Sequence, residues 1–344
     1  MAETITTGPD PVKLTVKDFQ TDQDVRWCPG CGDYSILAQV QRVMPEFSHK
    51  KEDYVTISGI GCSSRFPYYM NTFGLHSIHG RAPAFATGVK IANPQLQVWV
   101  ATGDGDGLSI GGNHIIHLLR RNVSIKVLLF NNEIYGLTKG QYSPTSRMGQ
   151  VTKSTPSGSI DNPFVPVSLA LGAGATFVAR TMDRDPKHLQ EIVRKAEAHR
   201  GTAFIEIYQN CNVFNDGAFF PFTEKETRDD NVVYLEHEKP LLFGKKKQNG
   251  IRLNGFTPEA VSLEDGKFSA NDLLVHDQND STLAFILANM IHNPTLPRPM
   301  GIFLEQSRPL YEEEVVNQIA KMKSKKGEGN LQSLLDGDEN WVIQ

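Results

Sequence analysis

The 344-residue sequence has only four cysteines, Cys28, Cys31, Cys62 and Cys211. So few thiols in so long a chain argue against a disulfide framework, and the length is ample to bury a core without one. No apolar run reaches the roughly 20 residues of a membrane span. The opening stretch, MAETITTGPDPVKLTVKDF, lacks the basic start and apolar run of a signal peptide, so the cytoplasm is the expected compartment. Neither sign of charge dominates: 35 Lys and Arg face 39 Asp and Glu, a formal net charge of −4. That balance gives no reason to expect nucleic acid or a membrane as partner. Nucleotide signatures are missing as well. There is no G-x-x-x-x-G-K-[ST], and Gly103-x-Gly105-x-x-Leu108 lacks the third glycine of the dinucleotide fingerprint.

What is present is a repeated alternation. Residues 1–27 are polar and read as an N-terminal arm. Apolar residues at helical spacing predict a helix over 34–44, and YVTIS at 54–58 predicts a strand. A Gly/Ser loop, GIGCSSRF, follows. A helix is expected over 80–93 with Pro83 in its first turn, then a buried strand over 96–101. The Gly-rich turn TGDGDG, a helix over 110–121, a strand over 124–130 and the turn NNEIYG come next. A strand at 175–180, a helix at 186–199 and a strand at 202–208 continue the pattern. Continuous apolar strands alternating with helices predict an α/β fold with an open, mostly parallel sheet covered on both faces. Gly-rich loops at the carboxyl ends of such strands are where ligands bind. The α/β domain is expected to span 28–215. Residues 141–160, rich in Ser, Thr, Gly and Pro, read as a long surface loop. From 216 to 344 the alternation fades into a C-terminal extension. It is expected to be partly irregular and to pack on the core and on partner subunits, with a helix over 281–292 and a charged tail.

Two of the Gly-rich turns suit a divalent cation and a diphosphate. Mg²⁺ takes hard oxygen ligands, usually one or two from the protein plus phosphates and water. Asp104 lies just past one strand, between Gly103 and Gly105, and Asn132 just past the next. GDG alone is a common turn. GDG followed by NN, with 28 residues from Asp104 to Asn132, is more specific and resembles the thiamine diphosphate motif. That resemblance implies Asp104, Asn132 and the backbone carbonyl of Ile134 as Mg²⁺ ligands. Gly105, Asp106, Gly136 and Leu137 would line the diphosphate.

Cys28-Pro-Gly-Cys31 by itself suits a redox dithiol, half a zinc site or half an iron–sulfur site. No second CxxC is available for a zinc ribbon. A [4Fe–4S] cluster needs four thiolates, which is the number the chain has, and Cys62 and Cys211 both fall at expected strand ends. Buried, inert thiols are the bland alternative.

Taken in order, WCPGCGDY, GIGCSSRFP, HGRAPAFATGVK, GDGDGLSIGGNH and NNEIYGLTKGQ resemble the β subunit of 2-oxoacid:ferredoxin oxidoreductases, over roughly residues 25–215. The resemblance implies a thiamine-diphosphate-binding fold. It implies one [4Fe–4S] cluster on Cys28, Cys31, Cys62 and Cys211, and Ile60, Gly61, Ser63 and His79 as cofactor contacts together with Cys62. It further implies oxidative decarboxylation of a 2-oxoacid with coenzyme A and ferredoxin. The wording of the motifs is nearer the 2-oxoglutarate branch, where a basic residue at the place of Arg65 reads the distal carboxylate; Arg65 and His79 are the expected catalytic-site side chains. A structural ion pair is the alternative for Arg65. No glutamate sits at a pocket-forming loop except Glu133, whose place points it elsewhere. That fits a heterodimer, or a dimer of heterodimers, whose α subunit supplies the activating glutamate and the coenzyme A site. A pyruvate or broad-range enzyme, a non-redox thiamine enzyme subunit and a zinc-stabilised binding subunit are the rival readings. His114 and His117, at i and i+3 on one helix, have no third ligand spaced with them and read as helix-surface or interface histidines. Trp27 is either a shield for the cluster or a core residue.

Overall fold

Seven consecutive residues, Ile125–Asn131, are buried, so this strand lies between two covered faces. It is the middle of an eight-stranded sheet in a computed structural model that describes residues 14–341. The strands are β1 (Tyr54–Ser58), β2 (Phe73–His76), β3 (Gln97–Gly103), β4 (Ile125–Asn131), β5 (Phe177–Met182), β6 (Ala203–Tyr208), β7 (Val232–Leu235) and β11 (Arg298–Glu305), in the spatial order β2-β1-β3-β4-β6-β5-β11-β7. Every neighbouring pair is parallel except β11 with β5. The remaining strands, β8 (Leu242–Phe243), β9 (Asn249–Asn254) and β10 (Thr257–Ser262), form a small antiparallel sheet.

Side chains alternate along each strand, so the two faces hold different cores. Trp99, Ala101, Leu128 and Phe130 pack with α1 (Asp33–Val43). Val98, Val100, Val127 and Leu129 pack on the other face. There they meet α3 (Ala82–Ala92), which follows the short α2 (Phe66–Tyr69), and α5 (Gly112–Arg121), which follows the short α4 (Asp104–Leu108). The same face continues with α6 (Pro166–Gly172) and, after α7 (Pro186–Ala198), α8 (Phe220–Thr223) and α9 (Lys225–Asn231), with α10 (Ser281–Asn289). The α7 helix joins α1 on the first face. The open parallel sheet with helices on both faces is thus the expected architecture.

Several local readings differ. TGDGDG is not a turn: Asp104–Leu108 is helical despite its glycines, which are poor helix formers. Packing sets this conformation, since a Cβ on Gly105 would fall within 2.2 Å of the Tyr135 ring. The stretch 141–160 has no regular element, but Ser143, Thr145, Ser146 and Ser159 are buried, so it is a strap and not a purely surface loop. Strand β2 is short and largely exposed at the sheet edge, so it carries no hydrophobic alternation to announce it. Past residue 216, β7 and β11 enter the main sheet. Pro299 and Gly301 disguise β11 as irregular. The charged tail forms α11 (Tyr311–Lys326) and α12 (Leu331–Asp336). Of the N-terminal arm, residues 1–13 lie outside the described residues; beyond them Phe19 is fully buried and accepts from the backbone N–H of Asn71 at 3.0 Å. Among the described residues no helix is long and apolar enough to cross a membrane.

Candidate functional site

At the carboxyl end of the sheet one cavity collects loops from four successive strands. The segment after β1 contributes Ile60, Gly61, Cys62 and Ser63, and the segment after β2 contributes His79. The end of β3 and the start of α4 bring Asp104, Gly105 and Asp106. The loop after β4 brings Asn132, Ile134, Gly136 and Leu137. These twelve residues are the ones the sequence marks for the thiamine end, the diphosphate and its metal.

Asp104 is buried, and Ser143 Oγ and Thr145 Oγ1 both donate to its Oδ2, at 2.6 and 2.5 Å. Neither hydroxyl bonds Oδ1. Burial pushes the carboxyl up to about 6, against the two hydroxyl hydrogen bonds. Thr145 Oγ1 lies 3.0 Å from Asn131 Oδ1 as well, so its one proton is shared between the two acceptors, and the Asn131 amide Nδ2 reaches Glu206 at 2.7 Å. Asn132 Oδ1 accepts from Ile134 N–H at 3.1 Å, and no described group donates to the Ile134 carbonyl. Between them Glu133 has φ of 55°, a left-handed conformation that is strained for a side chain of this kind. This turn places Asn132 and Ile134 on the cavity and sends Glu133 to the opposite side. There its Oε2 meets Arg147 Nε at 3.2 Å, and burial raises its carboxyl to about 7.

Asp106 lines the cavity but spends its oxygens on the scaffold. Oδ1 accepts from the backbone N–H groups of Ile60 (3.0 Å) and Gly80 (2.7 Å) and lies 2.5 Å from His79 Nδ1; Oδ2 accepts from Thr102 Oγ1 at 2.7 Å. It binds three loops to one another and lies against the His79 ring, which stands edge-on to Tyr135.

The cysteine loops meet at the same wall. Trp27 Nε1 donates to the Cys62 carbonyl at 2.7 Å, and Gly32 N–H to the Asn210 carbonyl at 3.1 Å. Asn212 Nδ2 donates to the Pro29 carbonyl at 2.6 Å. A methyl group placed on Gly136 would stand 3.5 Å from Cys62 Sγ and 3.5 Å from Cys211 Sγ, which bounds the separation of those sulfurs at twice that distance. Burial drives the Cys31 and Cys211 thiols up and Cys62 to about 12; Asp33 is the second cause for Cys31 and Cys62. Cys31 feels Cys211 and Cys62 electrostatically, and Cys62 feels Cys211 and Cys28. Among the described residues no three His, Cys, Asp or Glu side chains close on a point suited to a single metal ion. One zinc, with Zn–S of about 2.3 Å, would draw its sulfurs tighter. Trp27 is buried and packs edge-on to Tyr34 and Tyr69, as a lid beside Cys62.

Sequence reasoning passes over four contributors. Asp33 is buried, has no oxygen or nitrogen donor to its carboxylate among the described residues, lines the cavity, and is raised to about 7 by burial first and Asp183 second. An acidic residue in the first turn of the helix after CPGCG is the signal that could have found it. Ser143 and Thr145 carry no signal beyond a polar loop. Gln209, directly after β6, joins the Asn132 amide to the Cys31 sulfur. His114 and His117 sit on α5 away from any such cluster.

A second cavity adjoins the first and shares Ile60, Gly61 and Leu137 with it. Arg65, Tyr68 and His76 line it. No carboxylate lies within ion-pair distance of Arg65 among the described residues, whereas Arg26 in the same cavity is paired with Asp24 at 3.0 Å.

Residues 59–207 match the family described as thiamine pyrophosphate enzyme, C-terminal TPP binding domain. A 2-oxoglutarate oxidoreductase subunit, KorB, of Mycobacterium tuberculosis is 51% identical over 331 residues, 95% of this chain and 88% of that one. A 2-oxoacid:ferredoxin oxidoreductase β subunit of Aeropyrum pernix is 48% identical over 201 residues, 58% of this chain and 63% of that one. The chain belongs to the family of 2-oxoacid:ferredoxin oxidoreductase β subunits. A solved family structure, the 2-oxoglutarate:ferredoxin oxidoreductase of Magnetococcus marinus with 2-oxoglutarate, coenzyme A and succinyl-CoA bound, superposes with a TM-score of 0.74. It is 34% identical to this chain, covering 96% of it and 98% of the other. The family's thiamine domain thus begins at Gly59, where β1 ends, and closes at Ile207 in β6; Cys28 and Cys31 precede it and Cys211 follows it.

Proposed function

We propose that this chain is the β subunit of a 2-oxoglutarate:ferredoxin oxidoreductase that binds thiamine diphosphate through Mg²⁺ and holds one [4Fe–4S] cluster on Cys28, Cys31, Cys62 and Cys211. The observation that carries the reading is that Cys62 lines the same cavity as Asp104 and Asn132. An electron donor seated there is within reach of an acceptor held by that sulfur.

The residues fit both groups. Asp104 Oδ1, the Asn132 amide oxygen and the Ile134 carbonyl are hard oxygens suited to Mg²⁺. Ser63 Oγ is buried without a partner in the same cavity, a polar atom awaiting a ligand. Four thiols, with Cys62 and Cys211 both 3.5 Å from a Cβ position on Gly136, suit a cluster in which each iron takes one thiolate. Thiamine diphosphate, when bound, supplies the electron sink for the charge that decarboxylation leaves, and the cluster accepts electrons singly.

The chain's own residues bind and orient. Asp106 holds the loops that carry Ile60 and His79. Arg65 waits in the adjoining cavity with no anion of its own, and a guanidinium reads a carboxylate through paired N–H donors. No glutamate lines either cavity among the described residues, so the α subunit brings the activating glutamate, and with it the coenzyme A site. The full reaction takes 2-oxoglutarate and coenzyme A to succinyl-CoA and CO₂, with two electrons passed to ferredoxin. The test is the chain co-expressed with its partner and assayed on a panel of 2-oxoacids with ferredoxin or a viologen dye. Preference for 2-oxoglutarate is expected; preference for pyruvate overturns the substrate assignment.

A further inference from the structure

We infer that Gln209 is a positioning residue that couples the two cofactor sites, fixing the Asn132 amide on the metal side and donating a hydrogen bond to the Cys31 sulfur on the cluster side. The inference rests on the proposed reading of Asn132 and Cys31 as ligands.

Gln209 directly follows β6 and is 1% exposed. Its backbone N–H donates to the Asn131 carbonyl at 2.9 Å and so continues the β4–β6 ladder by one residue. That places the side chain between the loop after β4 and the CPGC turn. Every polar position of its amide is then used. One N–H of Nε2 faces the Asn210 carbonyl at 2.7 Å, the other faces Cys31 Sγ at 3.2 Å, and Oε1 accepts from Asn132 Nδ2 at 2.8 Å.

The two ends of a primary amide differ only by their neighbours. The Asn210 carbonyl can only accept, so Nε2 of Gln209 must face it. Oε1 is thereby turned to Asn132, which must answer with its own Nδ2. Asn132 Oδ1 is then left on the opposite edge, where Ile134 N–H donates to it and where the cavity lies. A cation at Asp104 needs that oxygen and not the amide nitrogen, which cannot ligate it. The orientation of a metal ligand is thus dictated from a carbonyl two side chains away.

On the other edge, an N–H pointed at a ligating sulfur stabilises the extra negative charge of the reduced cluster. Hydrogen bonds to sulfur are among the factors that set the potentials of such clusters. The same buried amide accordingly acts on the anchoring of one cofactor and on the potential of the other.

Two variants of the holoenzyme, purified with its partner, separate these roles. Gln209→Leu removes all three amide bonds. Gln209→Glu keeps an oxygen for Asn132 Nδ2 but removes the N–H groups that face Cys31 and the Asn210 carbonyl. The readouts are the midpoint potential of the cluster by EPR-monitored redox titration and the Mg²⁺ concentration needed to retain thiamine diphosphate. Gln209→Leu is expected to shift the midpoint to more negative potential and to raise the Mg²⁺ requirement several-fold. Gln209→Glu is expected to shift the midpoint in the same direction while raising the Mg²⁺ requirement less than Gln209→Leu does, since an acceptor for Asn132 Nδ2 remains. A general loosening of the fold would not produce that split. A wild-type cluster whose midpoint is unmoved in both variants overturns the inference alone. A wild-type enzyme without a four-iron cluster overturns the ligand reading and the inference with it.

Discussion

Asp106 Oδ1 accepts the backbone N–H of Ile60 at 3.0 Å, a bond across 46 residues that ties the loop after β1 to the helix after β3. The same oxygen also serves Gly80, and Oδ2 serves Thr102, so this carboxylate holds the cavity's loops together. Asp106→Ala leaves two backbone N–H groups without their acceptor in a buried place. It should cost about 2–4 kcal/mol of stability, as for lost hydrogen bonds to a charged group. Asp106→Asn keeps an oxygen for both N–H groups and should cost clearly less. Denaturant unfolding of the two variants checks the ranking; equal losses would remove the backbone bonds as the cause.

The strap of Ser143 and Thr145 holds Oδ2 of Asp104 and leaves Oδ1 free of both hydroxyls. Thr145→Val removes one hydroxyl at nearly constant shape. With about 1 kcal/mol per hydrogen bond, Mg²⁺ affinity should fall by about fivefold. Titrating thiamine diphosphate retention against Mg²⁺ measures this, and an unchanged Mg²⁺ requirement counts against the strap.

Those two relationships mark where the sequence is legible. GDG and NN could be read because each is a short local string whose chemistry lies in its own residues. Asp106 is inside the first string, yet its role depends on Ile60 and Gly80, which the chain brings from 46 and 26 residues away. Ser143 and Thr145 look like any polar loop until folding lays them on Asp104. The central parallel strands announced themselves through unbroken apolar runs. Strand β11 did not, because its Pro299 and Gly301 read as irregular structure although the strand is buried between β5 and β7. Cys62 and Cys211 could be set at strand ends from sequence, but their approach across Gly136 is a property of the sheet order alone.

Arg65 stands in the cavity beside the first with no acidic partner within ion-pair distance among the described residues. Arg65→Ala should raise the KM for 2-oxoglutarate by about 10- to 100-fold, the range of a lost charged hydrogen-bonded contact, and hardly change that for 2-oxobutyrate. Steady-state kinetics on both acids decides it; a matched rise for the two would assign Arg65 a structural role.

The buried pair Arg180–Glu206, at 2.7 Å, continues through Asn131 and Thr145 to Asp104. Glu206→Gln leaves the Arg180 guanidinium uncompensated in the core and should destabilise by about 3–5 kcal/mol. Thermal unfolding of the variant measures it, and a wild-type melting temperature would show that the pair is dispensable.

Electron transfer through this chain requires four sulfurs to meet beside a metal-anchored diphosphate. The most direct test of that requirement is an iron and thiamine diphosphate count on the enzyme purified with its partner, joined to low-temperature EPR of the reduced sample and of Cys211→Ser. About four irons and one thiamine diphosphate per β subunit are expected, with a reduced [4Fe–4S] signal that is lost or converted in the variant. Zinc in place of iron, or a four-iron signal untouched by Cys211→Ser, would contradict that meeting of sulfurs.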